Sequence, residues 1–225
     1  MPALLAMPEA TPAPAILIAN DVVGRSPFYE HLAARLADTG FVALEPEFFF
    51  RLGALPELTL EHAIPRARGL NMVNAVEDMS SALDWLKGRD FIQGERLGVV
   101  GFCMGGTFGM VLSAKRQDVA SVTFYGFPQG SGRGENASLR PIDLVDSMQG
   151  PMLGFWGDLD DGVGMDNVRD FARAAQDRGV DFSYEIYPGI EHGFMRHSGF
   201  EPDHPAYEVA VASWQRTVSF FRENL

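Results

Sequence analysis

The sequence predicts an α/β fold, a mostly parallel sheet covered by helices on both faces. Short apolar runs alternate with amphipathic segments along the chain, the pattern of buried strands joined by crossover helices. A glycine-framed cysteine, Gly101-Phe102-Cys103-Met104-Gly105, lies between one apolar run and the next helical pattern. A length of 225 residues suits one domain better than two small ones, so residues 1–225 are expected to form a single α/β domain.

The expected strands, in order, are Ala15–Ala19, Phe41–Leu44, Leu97–Phe102, Ser121–Tyr125, Met152–Trp156 and Phe182–Tyr187. Each is short, rich in β-branched, aromatic or leucine side chains, and most end at Gly, Pro or Asp. Between them lie helical patterns. Pro27–Ala37 comes after Ser26, an N-cap residue type, with proline at the first helical position. Val73–Lys87 carries Val73, Val76, Met79, Leu83 and Leu86 near a 3.6-residue period. Gly105–Ala114, Val168–Arg178 and Pro205–Asn224 complete the set. Gly126–Arg140 reads as a polar surface loop, and Gly53–Arg68 as an irregular segment over the mouth of a site.

Composition narrows the partners. With 18 basic and 30 acidic side chains, the net charge of −12 disfavours nucleic acid and anionic membranes. No apolar run approaches the ~20 residues that span a bilayer. The amino terminus lacks a basic segment and is broken by Pro2, Pro8, Pro12 and Pro14, so a signal peptide is not expected and a cytoplasmic location is. Cys103 is the only cysteine, which rules out an intrachain disulfide.

A nucleophile on a tight strand-to-helix turn needs small neighbours, which Gly101, Gly105 and Gly106 provide. The bland reading of Cys103 is a small core residue beside a glycine-rich turn. Two downstream segments weigh against it. An acidic loop, Gly157-Asp158-Leu159-Asp160-Asp161, comes after the strand MLGFW, and His192 lies in the loop after FSYEIY. Nucleophile, acid and histidine thus occur in the order such a sheet requires, each just past a strand. Order alone leaves Asp158, Asp160 and Asp161 as competing acids. His31, His62, His197 and His204 read as surface or lid residues. The spacing of His192, His197 and His204 matches no zinc pattern, and neither phosphate-loop nor dinucleotide fingerprints occur, so no metal or cofactor is expected.

With these features assembled, the chain resembles the dienelactone hydrolase family, the cysteine branch of the α/β-hydrolase fold. The resemblance runs from about Ala3 to near the carboxyl terminus. It is carried by Gly101–Gly106, Phe124-Tyr125-Gly126, Gly157–Asp160 and Tyr187–Phe194. It implies Asp160 as the acid, fourth in a G-x-x-D segment, and His192 as the base, in an H-[GS]-F segment. It also implies Asp21 as a thiol-tuning carboxylate, where family members commonly carry the longer glutamate. Val22 and Met104 would supply the oxyanion-hole N–H groups, and Arg196 and Tyr125 would contact substrate. Two departures matter. Leu60 stands where a second carboxylate-binding arginine is found in the family, with Arg66 and Arg68 nearby. The family's first strand has no counterpart before Met1, so a shortened sheet edge is expected, and with it a monomer or a homodimer.

The function these readings predict is cleavage of an ester or lactone, one bearing a carboxylate included, through Cys103, His192 and Asp160 by way of a thioester. A broad carboxylesterase or thioesterase is the alternative within enzymes. A non-catalytic ligand-binding protein on the same fold, or a redox-sensing Cys103, is the rival from another class.

Overall fold

The computed structural model describes residues 1–132, 139–197 and 201–225. Part of the loop expected over Gly126–Arg140 therefore lies outside the described residues. Among the described residues one seven-stranded sheet forms, in the order β1-β3-β2-β4-β5-β6-β7. The strands are β1 (Ala3–Ala6), β2 (Ala15–Ala19), β3 (Val42–Pro46), β4 (Leu97–Phe102), β5 (Val119–Phe124), β6 (Met152–Gly157) and β7 (Phe182–Tyr187). The helices are α1 (Pro27–Asp38), α2 (Leu60–Arg68), α3 (Met72–Lys87), α4 (Met104–Lys115), α5 (Met165–Asp177) and α6 (Tyr207–Asn224). β2 through β7 pair in parallel, and β1 runs antiparallel to β3.

β2 to β6 are buried throughout because helices cover both faces. The two-residue period divides their side chains. Ile16, Ile18, Val100, Phe102, Val122 and Phe124 pack under α1 and α6, against Leu32, Leu36, Trp214 and Phe221. Ala15, Leu17, Ala19, Leu97 and Val99 face the other way, onto Val76, Met79 and Leu83 of α3 and Phe108 and Val111 of α4. The chain winds from β2 outward to β3 and then back past it to β4. The carboxyl ends of β2 and β4 therefore flank the point where winding reverses, which is where a crevice opens in α/β sheets.

Two elements differ from expectation. β1 is absent from the sequence reading because four residues with alternating exposure make a weak strand signal beside several prolines. It supplies an antiparallel edge at the side where the sequence predicts a shortened one. α2 occupies Leu60–Arg68, where the sequence suggests irregular chain; Pro65 inside the helix masks it. Ser26 does precede α1 and Pro27 opens it, yet the serine side chain makes no capping bond. Asn71 caps α3 instead, its side chain accepting from the Asn74 N–H at 2.9 Å.

The turn after β4 is tightly packed. Cys103 sits at φ 55°, ψ −118°, outside the regions open to most side chains. A Cβ on Gly101 would lie 2.1 Å from the Gly105 carbonyl oxygen, and one on Gly105 would lie 2.0 Å from that of Ala19. Both contacts are to backbone and cannot be relieved by a rotamer change. Gly109, one turn later in α4, would meet only Val99 at 3.5 Å. Gly105→Ala is therefore expected to lower unfolding free energy by about 3 kcal/mol or more. Gly109→Ala is expected to be neutral or stabilising by about 0.5–1 kcal/mol. Urea unfolding of the two variants checks this, and equal stability would contradict the packing described.

Candidate active site

Three loops past strand ends converge on the crevice. The β4–α4 turn projects Cys103, with its N–H donating to the Phe124 carbonyl at 3.0 Å. The loop after β6 carries Asp160, 3% exposed. The loop after β7 carries His192, whose Nδ1 lies 2.6 Å from Asp160 Oδ2. The second Asp160 oxygen accepts from the Val163 N–H at 3.1 Å, which fixes the carboxylate. The other two aspartates are placed differently. Asp158 is exposed and accepts from the Gly189 N–H at 2.6 Å, and Asp161 is exposed.

His192 is held on both sides. Tyr125 lies 4.7 Å from it and Phe127 5.8 Å, measured between ring centroids. Burial works against its charge, but the hydrogen bonds and charges of Asp160 and Cys103 outweigh that and push the imidazole up to about 9. Tyr125 is buried in a positive-φ conformation, its hydroxyl pushed well above its ordinary value by burial and by the Asp21 charge. Its ring packs against His192 and does not line the cleft above Cys103.

That cleft, about 430 Å³, is bordered by Val22, Arg68, Cys103, Met104 and Phe127 among others. The N–H groups of Val22 and Met104 have no acceptor among the described residues. Phe127 borders the cleft, whereas Phe48, Phe49, Phe124 and Phe194 are buried in the core.

The loop from Asn20 to Gly24, which carries Val22, is fastened at many points. The Asp21 N–H donates to the Tyr29 hydroxyl at 3.0 Å. One Asp21 carboxylate oxygen accepts from the Val23 N–H at 2.8 Å, and the other from Arg196 at 2.7 Å. Asp21 and Arg196 are thus committed to each other, although Arg196 remains 46% exposed. Arg66 donates to the carbonyls of Val22 and Val23 at 3.3 and 2.8 Å, and its guanidinium lies 4.0 Å over the Phe49 ring. It is a brace for this loop, not a free cation. The sequence puts it near the site without revealing that role, because its acceptors in this loop are backbone atoms more than forty residues away. Leu60 opens α2 and is 49% exposed outside the cleft, while Arg68 at the far end of the same helix reaches it.

One other cluster has metal-ligand chemistry. His197, Glu201 and His204 bring possible ligand atoms within 4.8 Å of one another. The two rings stack in parallel at 3.5 Å, His197 already pairs with Glu201, and His204 Nδ1 accepts the Ala206 N–H. Parallel stacked rings aim their lone pairs side by side instead of at a shared point. The described residues contain no helix long and apolar enough to cross a membrane.

A mostly parallel sheet with a tight glycine-framed strand-to-helix turn after β4, a buried aspartate after β6 and a histidine after β7 is the arrangement of the α/β-hydrolase fold. The model of the dienelactone hydrolase family matches residues 1–225, and the chain belongs to that family. A carboxymethylenebutenolidase from Rhodococcus opacus is 30% identical over 226 residues, covering 100% of this chain and 87% of that protein. A Bradyrhizobium protein assigned as a 2-oxo-3-(5-oxofuran-2-ylidene)propanoate lactonase is 28% identical, covering 99% and 89%. Among solved structures, a Klebsiella pneumoniae protein assigned as a dienelactone hydrolase superposes with a TM-score of 0.84 at 25% identity, over 99% of this chain and 92% of that one.

The raised His192 value has a consequence for stability. Its contacts with Asp160 and Cys103 contribute stability that is fully present below the ordinary value of 6.5 and is lost as pH climbs through about 9. An NMR titration of the His192 ring is expected to show a midpoint near 9 that falls in Asp160→Asn; a native midpoint at or below 6.5 would contradict the pairing.

Proposed function

We propose that this hydrolase cleaves an ester or lactone with Cys103 as nucleophile, His192 as proton carrier and Asp160 as its orienting acid. The observation that carries the reading is the chain Asp160–His192–Cys103 beside a cleft bordered by two unengaged N–H groups. The contacts that keep His192 protonated up to about 9 place an imidazolium beside Cys103, which favours its attack as the thiolate. The amino terminus of α4 points its dipole at the same sulfur, which favours the anion further.

The thiolate attacks the carbonyl carbon, forming a C–S bond and a tetrahedral oxyanion that accepts hydrogen bonds from the Val22 and Met104 N–H groups. The C–O bond then breaks, and His192 passes its proton to the leaving oxygen, which leaves a thioester on Cys103. Neutral His192 next takes a proton from water as the water attacks the thioester. The sulfur departs as thiolate, and Cys103 and His192 are regenerated. A thiolate is itself a good leaving group, so activated esters and enol-lactones suit this centre better than amides.

The substrate class we infer is a lactone that bears a carboxylate. The names of the two curated relatives denote such compounds. Among the described residues the cation on the cleft is Arg68, which has no ion-pair partner among them. Arg196, by contrast, is neutralised by Asp21. Tyr125 and Asp21 act here through their neighbours, Tyr125 by seating His192 and Asp21 by fixing the Val22 loop.

One kinetic panel tests the assignment. Cys103→Ala is expected to lower hydrolysis of a p-nitrophenyl ester by a factor on the order of 10⁴–10⁶. Arg68→Ala is expected to lower kcat/KM about tenfold on a carboxylate-bearing enol-lactone, chiefly through KM, and much less on the neutral ester. Undiminished turnover by Cys103→Ala would exclude the nucleophile, and equal losses on both substrates would exclude Arg68 as the carboxylate contact.

A further inference from the structure

Glu45 is the least expected residue in the sheet. It lies in β3 with 0% exposure, between β1 and β2, as part of a strand whose other side chains are apolar or proline. One oxygen, Oε1, accepts from Asn20 Nδ2 at 2.7 Å. The remaining polar atoms of the same two groups, Glu45 Oε2 and Asn20 Oδ1, are both buried and both without a partner.

An ionised carboxylate gives no way out of this arrangement, because two acceptors cannot satisfy each other. A single proton does. A carboxylic acid presents one acceptor and one donor, and a primary amide presents the complementary pair, so acid and amide close a two-bond ring. Burying a neutral acid with both its polar atoms engaged also avoids the cost of burying a charge.

The location gives this proton a consequence. Asn20 immediately precedes Asp21 and Val22, and its carbonyl packs against Gly105, two residues beyond Cys103. Whatever fixes Asn20 fixes where the Val22 N–H sits relative to Cys103. We propose that Glu45 is a positioning residue that works as a neutral acid, donating Oε2–H to Asn20 Oδ1 and so holding the oxyanion loop in register. The proposal rests on the assignment of Val22 and Cys103 above.

The surroundings agree. Burial pushes the Glu45 carboxyl up to about 7, against the lowering effects of Arg25 and of the Asn20 hydrogen bond. Glu30 from α1 and Glu47 from the segment after β3 add to the rise. On ionisation the acid loses its donor, the ring opens, and a negative charge stands behind the site of the developing oxyanion. Loop order is then expected to decline as pH rises through about 7, a step distinct from the His192 titration near 9.

Glu45→Gln and Glu45→Ala test this in the full-length protein. A glutamine amide repeats the donor–acceptor pair at every pH. Glu45→Gln is expected to restore kcat on a p-nitrophenyl ester and to lose the step near 7, while Glu45→Ala lowers kcat at least tenfold with KM little changed. Infrared spectroscopy supplies a readout without turnover. A protonated-carboxyl band present at pH 5.5 should titrate away with a midpoint near 7 in the native protein and be missing in Glu45→Gln. Persistence of that band and of the pH step in Glu45→Gln overturns the proposal, as does a native carboxyl already ionised at pH 5.5. If Cys103→Ala retained full turnover, the catalytic reading would fall, and the infrared titration would still decide the Glu45 proton.

Discussion

The structure depends on one local constraint: the backbone of Cys103 is held where an L-residue gains nothing from being. Its φ of 55° and ψ of −118° cost about 1–3 kcal/mol relative to ordinary conformations. The conformation persists because its surroundings leave no alternative. β4 is paired along its length by β2 and β5, and α4 is buried on all sides from Met104 to Ser113. The chain must turn from strand to helix within one residue, and only hydrogens fit at Gly101 and Gly105, where backbone crosses backbone. The result is a side chain lifted out of the sheet at the helix amino terminus, where a negative charge is favoured.

The other half of the site is fastened with equal care, but by side chains. Tyr29, Arg66, Arg196 and Glu45 reach the loop from Asn20 to Gly24 from four parts of the sequence, binding two of its carbonyls, the Asp21 N–H and its two polar side chains. In the proposed mechanism a loop so tied reorganises little as charge develops, and that preorganisation would make its N–H group effective toward an oxyanion. The two halves meet where the Ala19 and Asn20 carbonyls touch Gly105. Crowding at the Cys103 turn therefore also sets the distance across the site.

The sequence makes the framework legible because its signals are local. Strands buried on both faces appear as apolar runs, and the glycines around Cys103 announce a turn that admits nothing larger. Asp160 and His192 emerge from chain order together with family resemblance. Less accessible are the features whose partners are distant. Glu45 falls just past the expected strand Phe41–Leu44, and its burial makes sense only beside Asn20, 25 residues earlier. Arg66 reads as a spare cation until its carbonyl acceptors are seen. α2 is hidden by Pro65, and β1 by its shortness and the prolines beside it. Asp21 and Arg196, assigned separate roles from resemblance, turn out to be each other's counter-ion across 175 residues.

The claim on which the rest stands is that Cys103 takes up the acyl group. Rapid-quench mass spectrometry of the enzyme during turnover of a slow acyl ester reads this directly. The expected result is an acyl adduct on the peptide containing Cys103, labile to hydroxylamine as a thioester is, forming and decaying at rates that match turnover. An adduct on another residue, or turnover at the same rate after Cys103 has been blocked with iodoacetamide, would contradict it.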